Sequence, residues 1–164
     1  MPMDVAIHLI AGLILTAILV AIALIDLGRQ IIPDALNAAL AVSGFCFQLV
    51  TQRADAPMQV FIAASTLAVF WALRRGHFLL TRRIGLGLGD VKMLAAAALW
   101  INPLLLPVLL FIASAGALLF VGGQVVTTGP AAARARVPFG PFIALGLGCS
   151  WALEQFVGLN LGLL

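Results

Sequence analysis

Two carboxylic acids stand out in a chain that has only six acidic residues among 164. Asp90 ends the run Gly85-Leu86-Gly87-Leu88-Gly89-Asp90, where an arginine-rich stretch gives way to an apolar one. Asp26 ends the first apolar run and is followed by Leu27-Gly28-Arg29-Gln30-Ile31-Ile32-Pro33-Asp34. A carboxylate at the border of an apolar segment costs free energy, so each asks for a reason. Two carboxyl groups around one water can hydrolyse a peptide bond, one drawing a proton from the water while the other donates to the carbonyl oxygen. Like charges a few Å apart do not both ionise, which keeps one of such a pair protonated. Gly85, Gly87 and Gly89 clear side chains from the approach to Asp90, so that a substrate backbone can come close. Close helix packing accounts for the same glycines. Phosphate binding fits less well, because the spacing is not GxGxxG and no Gly-Lys-Ser/Thr follows.

The elements that carry these acids must be membrane helices. The chain is 63% hydrophobic and 9% charged, with a mean hydropathy of +1.18. A domain this small has too much surface per volume to hide so many apolar side chains from water. In a bilayer every backbone polar group must be satisfied within the element, which leaves helices or a closed barrel. The apolar runs are continuous and lack the two-residue alternation of barrel strands, so helices are expected.

Six apolar segments are predicted, near Val5–Ile25, Ala35–Val50, Met58–Leu73, Asp90–Trp100, Leu104–Val126 and Pro138–Leu161. Asp26 to Pro33 reads as a loop, and Asp34 as the N-cap of the second helix. Pro107 is a candidate kink in the fifth. The first segment lacks a basic flank and a small-residue cleavage site, so it reads as a retained helix and not a signal peptide. The expected fold is an all-α integral membrane protein of six transmembrane helices, a single domain over residues 1–164.

The charges orient it. Arg29, Arg74, Arg75, Arg82, Arg83, Lys92, Arg134 and Arg136 all fall in or beside the connections after segments one, three and five, against Arg53 alone on the other face. The positive-inside rule makes those connections cytoplasmic and both termini periplasmic. Asp26, Asp34 and Asp90 then share the cytoplasmic border. The net charge of +3 is explained by insertion signals in short loops, so no nucleic-acid partner is expected. Cys46 and Cys149 read as buried thiols acting as small hydrophobes, with no CxxC pair for a zinc site or disulfide framework. No metal and no cofactor is expected.

The remaining polar residues are open to more than one role. Lys92 can pair with Asp90, reach lipid headgroups, or hold an acidic group of a substrate. Glu154, well inside the last segment, is either functional or an interface-facing acid near the periplasmic end. His77 reads as a solvated loop residue and His8 as interfacial. Trp71, Trp100 and Trp151 fit membrane boundaries or helix packing.

Together these residues resemble the type IV prepilin peptidases, membrane aspartyl proteases of the GxGD class. Gly85 to Lys92 resembles the family's second aspartate motif, including the lysine two residues on. Asp26 with Ile32-Pro33-Asp34 resembles the first. Val137-Pro138-Phe139-Gly140-Pro141-Phe142 resembles the element that opens the last helix. The resemblance implies Asp26 and Asp90 as the catalytic pair, with Gly87, Gly89, Lys92, Asp34, Pro138 and Gly140 shaping the site or binding substrate. It implies cleavage of the leader of prepilins or pseudopilins at the cytoplasmic face of the bacterial inner membrane. The cysteine-bearing insertion of larger members is lacking, so a peptidase without methyltransferase activity is expected. A rival from another class is a small proton- or ion-coupled transporter using Asp90, Lys92 and Glu154 as a relay; a third is a non-catalytic secretion partner. Oligomeric state is silent.

Overall fold

The computed structural model describes residues 2–51, 56–82, 85–129 and 137–156. Its elements in chain order are α1 (Pro2–Arg29), α2 (Asp34–Thr51), α3 (Ala56–Thr81), α4 (Leu88–Ala97), a 3₁₀ turn (Pro103–Leu105), α5 (Leu106–Thr128) and α6 (Gly140–Phe156). Four stretches are long and apolar enough to cross a membrane: Val5–Arg29, Asp34–Thr51, Pro57–Thr81 and Pro103–Thr128. Among the described residues six α-helices match the six expected segments, and four stretches meet that requirement; α6 is described only as far as Phe156. α4, with 10 residues, is about 15 Å long, roughly half a hydrocarbon core.

Several boundaries differ from the sequence reading. α1 runs past Ile25, so Asp26 lies in its last turn and not in a loop. α3 continues to Thr81, placing Arg74, Arg75 and the exposed His77 on a helix. Charged residues at a helix end reach headgroups without ending the hydrogen-bond ladder, so polarity alone marked these ends too early. Pro107 sits in the first turn of α5, where no intrahelical N–H is needed, and produces no mid-helix kink. Cys46 is exposed on the outer face of α2 and Cys149 is half-buried, so only the latter approaches the expected burial. The expected polar turn at 51–57 and loop at 127–137 fall mostly outside the described residues, as do Arg53, Arg83, Arg134 and Arg136.

α4 is the axis around which the rest packs. It contacts α2, α3 and α6, whereas α2 and α3 barely meet each other. Val91, Met93, Leu94 and all of 96–101 are buried. Trp100, 1% exposed, stacks on Phe47 with centroids 5.6 Å apart and donates from Nε1 to the Leu40 carbonyl at 2.8 Å. α1, α5 and α6 form the other flank, with Ile143 and Leu147 of α6 fully buried.

A helix that stops inside an apolar core leaves carbonyls without intrahelical donors. Two side chains donate to carbonyls at that end of α4. Gln59 Nε2 donates to the carbonyls of Ala98 (2.6 Å) and Ile101 (3.2 Å), and Gln48 Nε2 donates to Leu99 O (3.1 Å). Glu154 Oε2 accepts the backbone N–H of Asn102 at 2.9 Å, and Asn102 Oδ1 accepts from Leu104 N to start the 3₁₀ turn. Glu154 thus ties α6 to the turn after α4. Gln59→Leu removes the donor to both carbonyls and should cost about 1–3 kcal/mol. A lowered thermal midpoint in detergent is expected; an unchanged one would mean those carbonyls are satisfied some other way.

Candidate active site

The opposite end of α4 gathers the acids. Each long helix that leads into this end closes with a residue in the left-handed region, Gln30 (φ 53°) after α1 and Arg82 (φ 56°) after α3. The N–H of Gln30 bonds the Asp26 carbonyl at 2.8 Å, an αL helix end that turns the chain back toward α4. Asp26 is 4% exposed, and its Oδ2 accepts the N–H of Gly140 at 2.8 Å. Gly140 is the first residue of α6, whose opening N–H groups have no helical acceptors, so Asp26 caps a helix 114 positions away in sequence. A Cβ at Gly140 would stand 2.8 Å from Asp26 Oδ2 and 3.1 Å from its Cγ. No other residue permits this approach.

Asp90 is the third residue of α4, in its first turn, where the positive end of the helix dipole favours an acid. Its carboxylate folds back against Gly87, where a Cβ would lie 2.6 Å from Oδ2. Gly89 packs on Ile32, 3.0 Å from the Ile32 Cβ were a Cβ present, so the Ile-Pro-Asp element and the glycine loop touch directly. Asn37 Nδ2 reinforces this contact by donating to Gly89 O at 3.2 Å. Arg74 Nε holds the same loop from α3 through Leu86 O at 3.0 Å.

Asp26 and Asp90 face one cavity of about 890 Å³. Gln30, Ile31 and Ile32 form one side, Gly85 to Gly89 another, and Val137, Pro138 and Phe139 a third. All three segments singled out in the sequence therefore converge on one space. Asp34 and Lys92 lie outside it. Lys92 Nζ pairs with Asp34 Oδ1 at 2.7 Å, joining α2 to α4, a partner that was not among the three roles expected for Lys92. Asp34 is the first residue of α2 and not its cap; the Pro33 carbonyl takes the N–H groups of Leu36 and Asn37. An ion pair this exposed is worth at most about 1 kcal/mol. Asp34→Asn should accordingly slow any reaction at the cavity by no more than about fivefold, measured as an initial rate in membranes.

Sequence reasoning missed Asn37, Gln48, Gln59 and Arg74. A signal existed for the first two: Asn37, Leu40, Gly44 and Gln48 recur at three- and four-residue spacing, the buried stripe of α2. Uncharged amides inside apolar helices point to backbone groups that need partners.

The helical architecture gathers two acids, the glycine-rich segment and a helix N-terminus around one cavity. The family model described as the type IV leader peptidase family matches residues 13–122, and the chain belongs to that family. It is 33% identical over 136 residues to a prepilin leader peptidase/N-methyltransferase of Aeromonas salmonicida, covering 83% of this chain and 46% of the relative. A protein of that name from Neisseria gonorrhoeae is 35% identical over 105 residues, or 64% and 37% of the two chains. Leader peptidase HopD of Escherichia coli is 36% identical over 123 residues, covering 73% of this chain and 77% of the relative. The chain spans about half or less of the length of the prepilin leader peptidase/N-methyltransferases named here. No solved structure matches it. Its apolar helices and its family together make it a multi-pass membrane protein.

Proposed function

We propose that this chain is an aspartyl endopeptidase that removes the leader of type IV prepilins or pseudopilins, with Asp26 and Asp90 as its catalytic pair. The observation that carries the reading is the cavity shared by both acids and the glycine loop. The reaction calls for one carboxyl group ionised and the other protonated. The ionised one takes a proton from water as the water oxygen bonds to the scissile carbonyl carbon; the protonated one donates to the carbonyl oxygen. Collapse of the tetrahedral adduct breaks the C–N bond, and a proton passes to the leaving amine. The Gly140 N–H fixes one oxygen of Asp26, which limits how far that carboxylate can turn. Gly87 leaves room for the Asp90 carboxylate and Gly89 for Ile32, and Pro138 stiffens the facing wall of the cavity.

Basic residues gather at the site end: Arg29 closes α1, Arg74 and Arg75 lie late in α3, and Arg82 follows it. This supports an active site at the cytoplasmic face of the inner membrane, with both termini periplasmic. The transporter reading is not favoured. Its relay would need Asp90, Lys92 and Glu154 in communication, whereas Lys92 is paired with Asp34 and Glu154 binds Asn102 at the far end of α4.

Co-expression with a panel of prepilins and pseudopilins tests the proposal. A gel shift on leader loss is expected with at least one, and none across the panel would refute it. The activity proposed is the peptidase alone, since the chain's two cysteines form no CxxC pair. The mature product should carry a free amino terminus; an added methyl group in its mass would overturn that part.

A further inference from the structure

A second cavity, of about 570 Å³, opens between α2 and α3 with α4 as its floor. It exists because α2 and α3 both pack on α4 instead of on each other. Alanines of α2, α3 and α4, among them Ala38 and Ala64, make much of its surface small and apolar, and the Asp34–Lys92 pair stands at one end. Small walls of this kind let another backbone approach closely in a bilayer. At one end of the groove stands Asn37, 5% exposed. Its Nδ2 is committed to Gly89 O, while its Oδ1 is buried and accepts no hydrogen bond among the described residues. A buried amide oxygen without a donor is unfavourable, so a ligand that brings an N–H to it is recognised there.

We propose that this groove is the docking site for the substrate's apolar membrane helix, whose first-turn N–H groups meet Asn37 Oδ1; this rests on the peptidase reading above. The first four N–H groups of any helix lack intrahelical acceptors, and in lipid they must find acceptors elsewhere. An acyl chain would satisfy the alanine walls but carries no N–H for Asn37. The position also suits the chemistry. Asn37 holds Gly89, the neighbour of Asp90, so a helix that begins at Asn37 places the peptide bonds before it beside the cavity of Asp26 and Asp90. The groove thereby sets which bond is cut, counted from the start of the apolar helix.

The test uses full-length chain in proteoliposomes with a prepilin that the wild type cleaves. A photo-crosslinking residue is placed at Ala38 or Ala64, both exposed and lining the groove, in an Asp90→Asn background; Leu118 on the outer face of α5, 74% exposed, is the control. Adducts to the prepilin's apolar segment are expected from both groove positions and not from Leu118. Adducts to phospholipid instead, or equal adducts from Leu118, overturn the proposal. Separately, Ala64→Phe fills the groove and Asn37→Leu removes its acceptor. Each should raise KM for prepilin by about tenfold or more, with kcat affected less. An unchanged KM in Ala64→Phe refutes groove docking even if Asn37→Leu fails to fold. Absence of cleavage of any prepilin by the wild type is a different failure, that of the peptidase reading itself.

Discussion

Asp26→Asn and Asp90→Asn should each lower leader cleavage by at least about 10²–10⁴-fold, the range in which one general acid or base contributes. An amide is close to a carboxyl group in size and still accepts a hydrogen bond, so the side chain introduced by Asp26→Asn can keep the Gly140 N–H satisfied. It cannot take or give the proton. Loss of activity should therefore come without loss of protein from the membrane, and the two substitutions together should cost little more than either alone, because the acids act as one unit. The measurement is the initial rate of leader removal in membranes matched for chain abundance. Wild-type cleavage in either variant would remove that residue from the pair. The comparison with Asp34→Asn is informative, since Asp34 sits only eight positions from Asp26 but pairs outside the cavity.

Gly140→Ala is the second large effect. Adding one methyl group places a carbon 2.8 Å from Asp26 Oδ2, 3.1 Å from Cγ and 3.2 Å from Cβ, so the whole carboxylate must move or α6 must retreat. Displacing a catalytic group by about 1 Å commonly costs on the order of 10²-fold, and a loss of that size is expected here. Helix propensity runs the other way, favouring Ala over Gly by up to about 1 kcal/mol, so the variant should still accumulate. Gly122→Ala on α5 provides the control: nothing lies within 4 Å of its added Cβ, and cleavage should be unaffected. If Gly140→Ala cleaves at the wild-type rate, then the Asp26–Gly140 hydrogen bond does not position the acid for chemistry.

The groups of residues that matter were legible in the chain because each is a departure from its surroundings. Asp26 and Asp90 are acids at the ends of apolar runs; Gly87 and Gly89 interrupt a helix-forming stretch; Pro138 and Gly140 open the last helix. All of these come together at one end of the bundle, and Glu154 and Asn102 at the other. The six helices among the described residues were readable from apolar run length, and four stretches there are long and apolar enough to cross a membrane. α4 is too short to cross, and only its neighbours make its interrupted end tolerable by supplying Gln48, Gln59 and Glu154.

Composition by itself determined a helical, multi-pass membrane protein, because hydropathy acts residue by residue and needs no partner. The pairings were beyond its reach. Lys92 had three candidate roles, none of them Asp34, which the tertiary structure gives it as a partner; Asp34 looked like a helix cap and became one half of an ion pair. Asn37 gains its role from tertiary packing, which brings its amide to Gly89 in the first turn of α4, beside Asp90. Asp26 acquired its hydrogen-bond donor from α6, a contact across 114 residues. Hydrogen bonds and ion pairs depend on geometry within a few tenths of an Å, which only the packing of α1, α2, α4 and α6 against one another supplies.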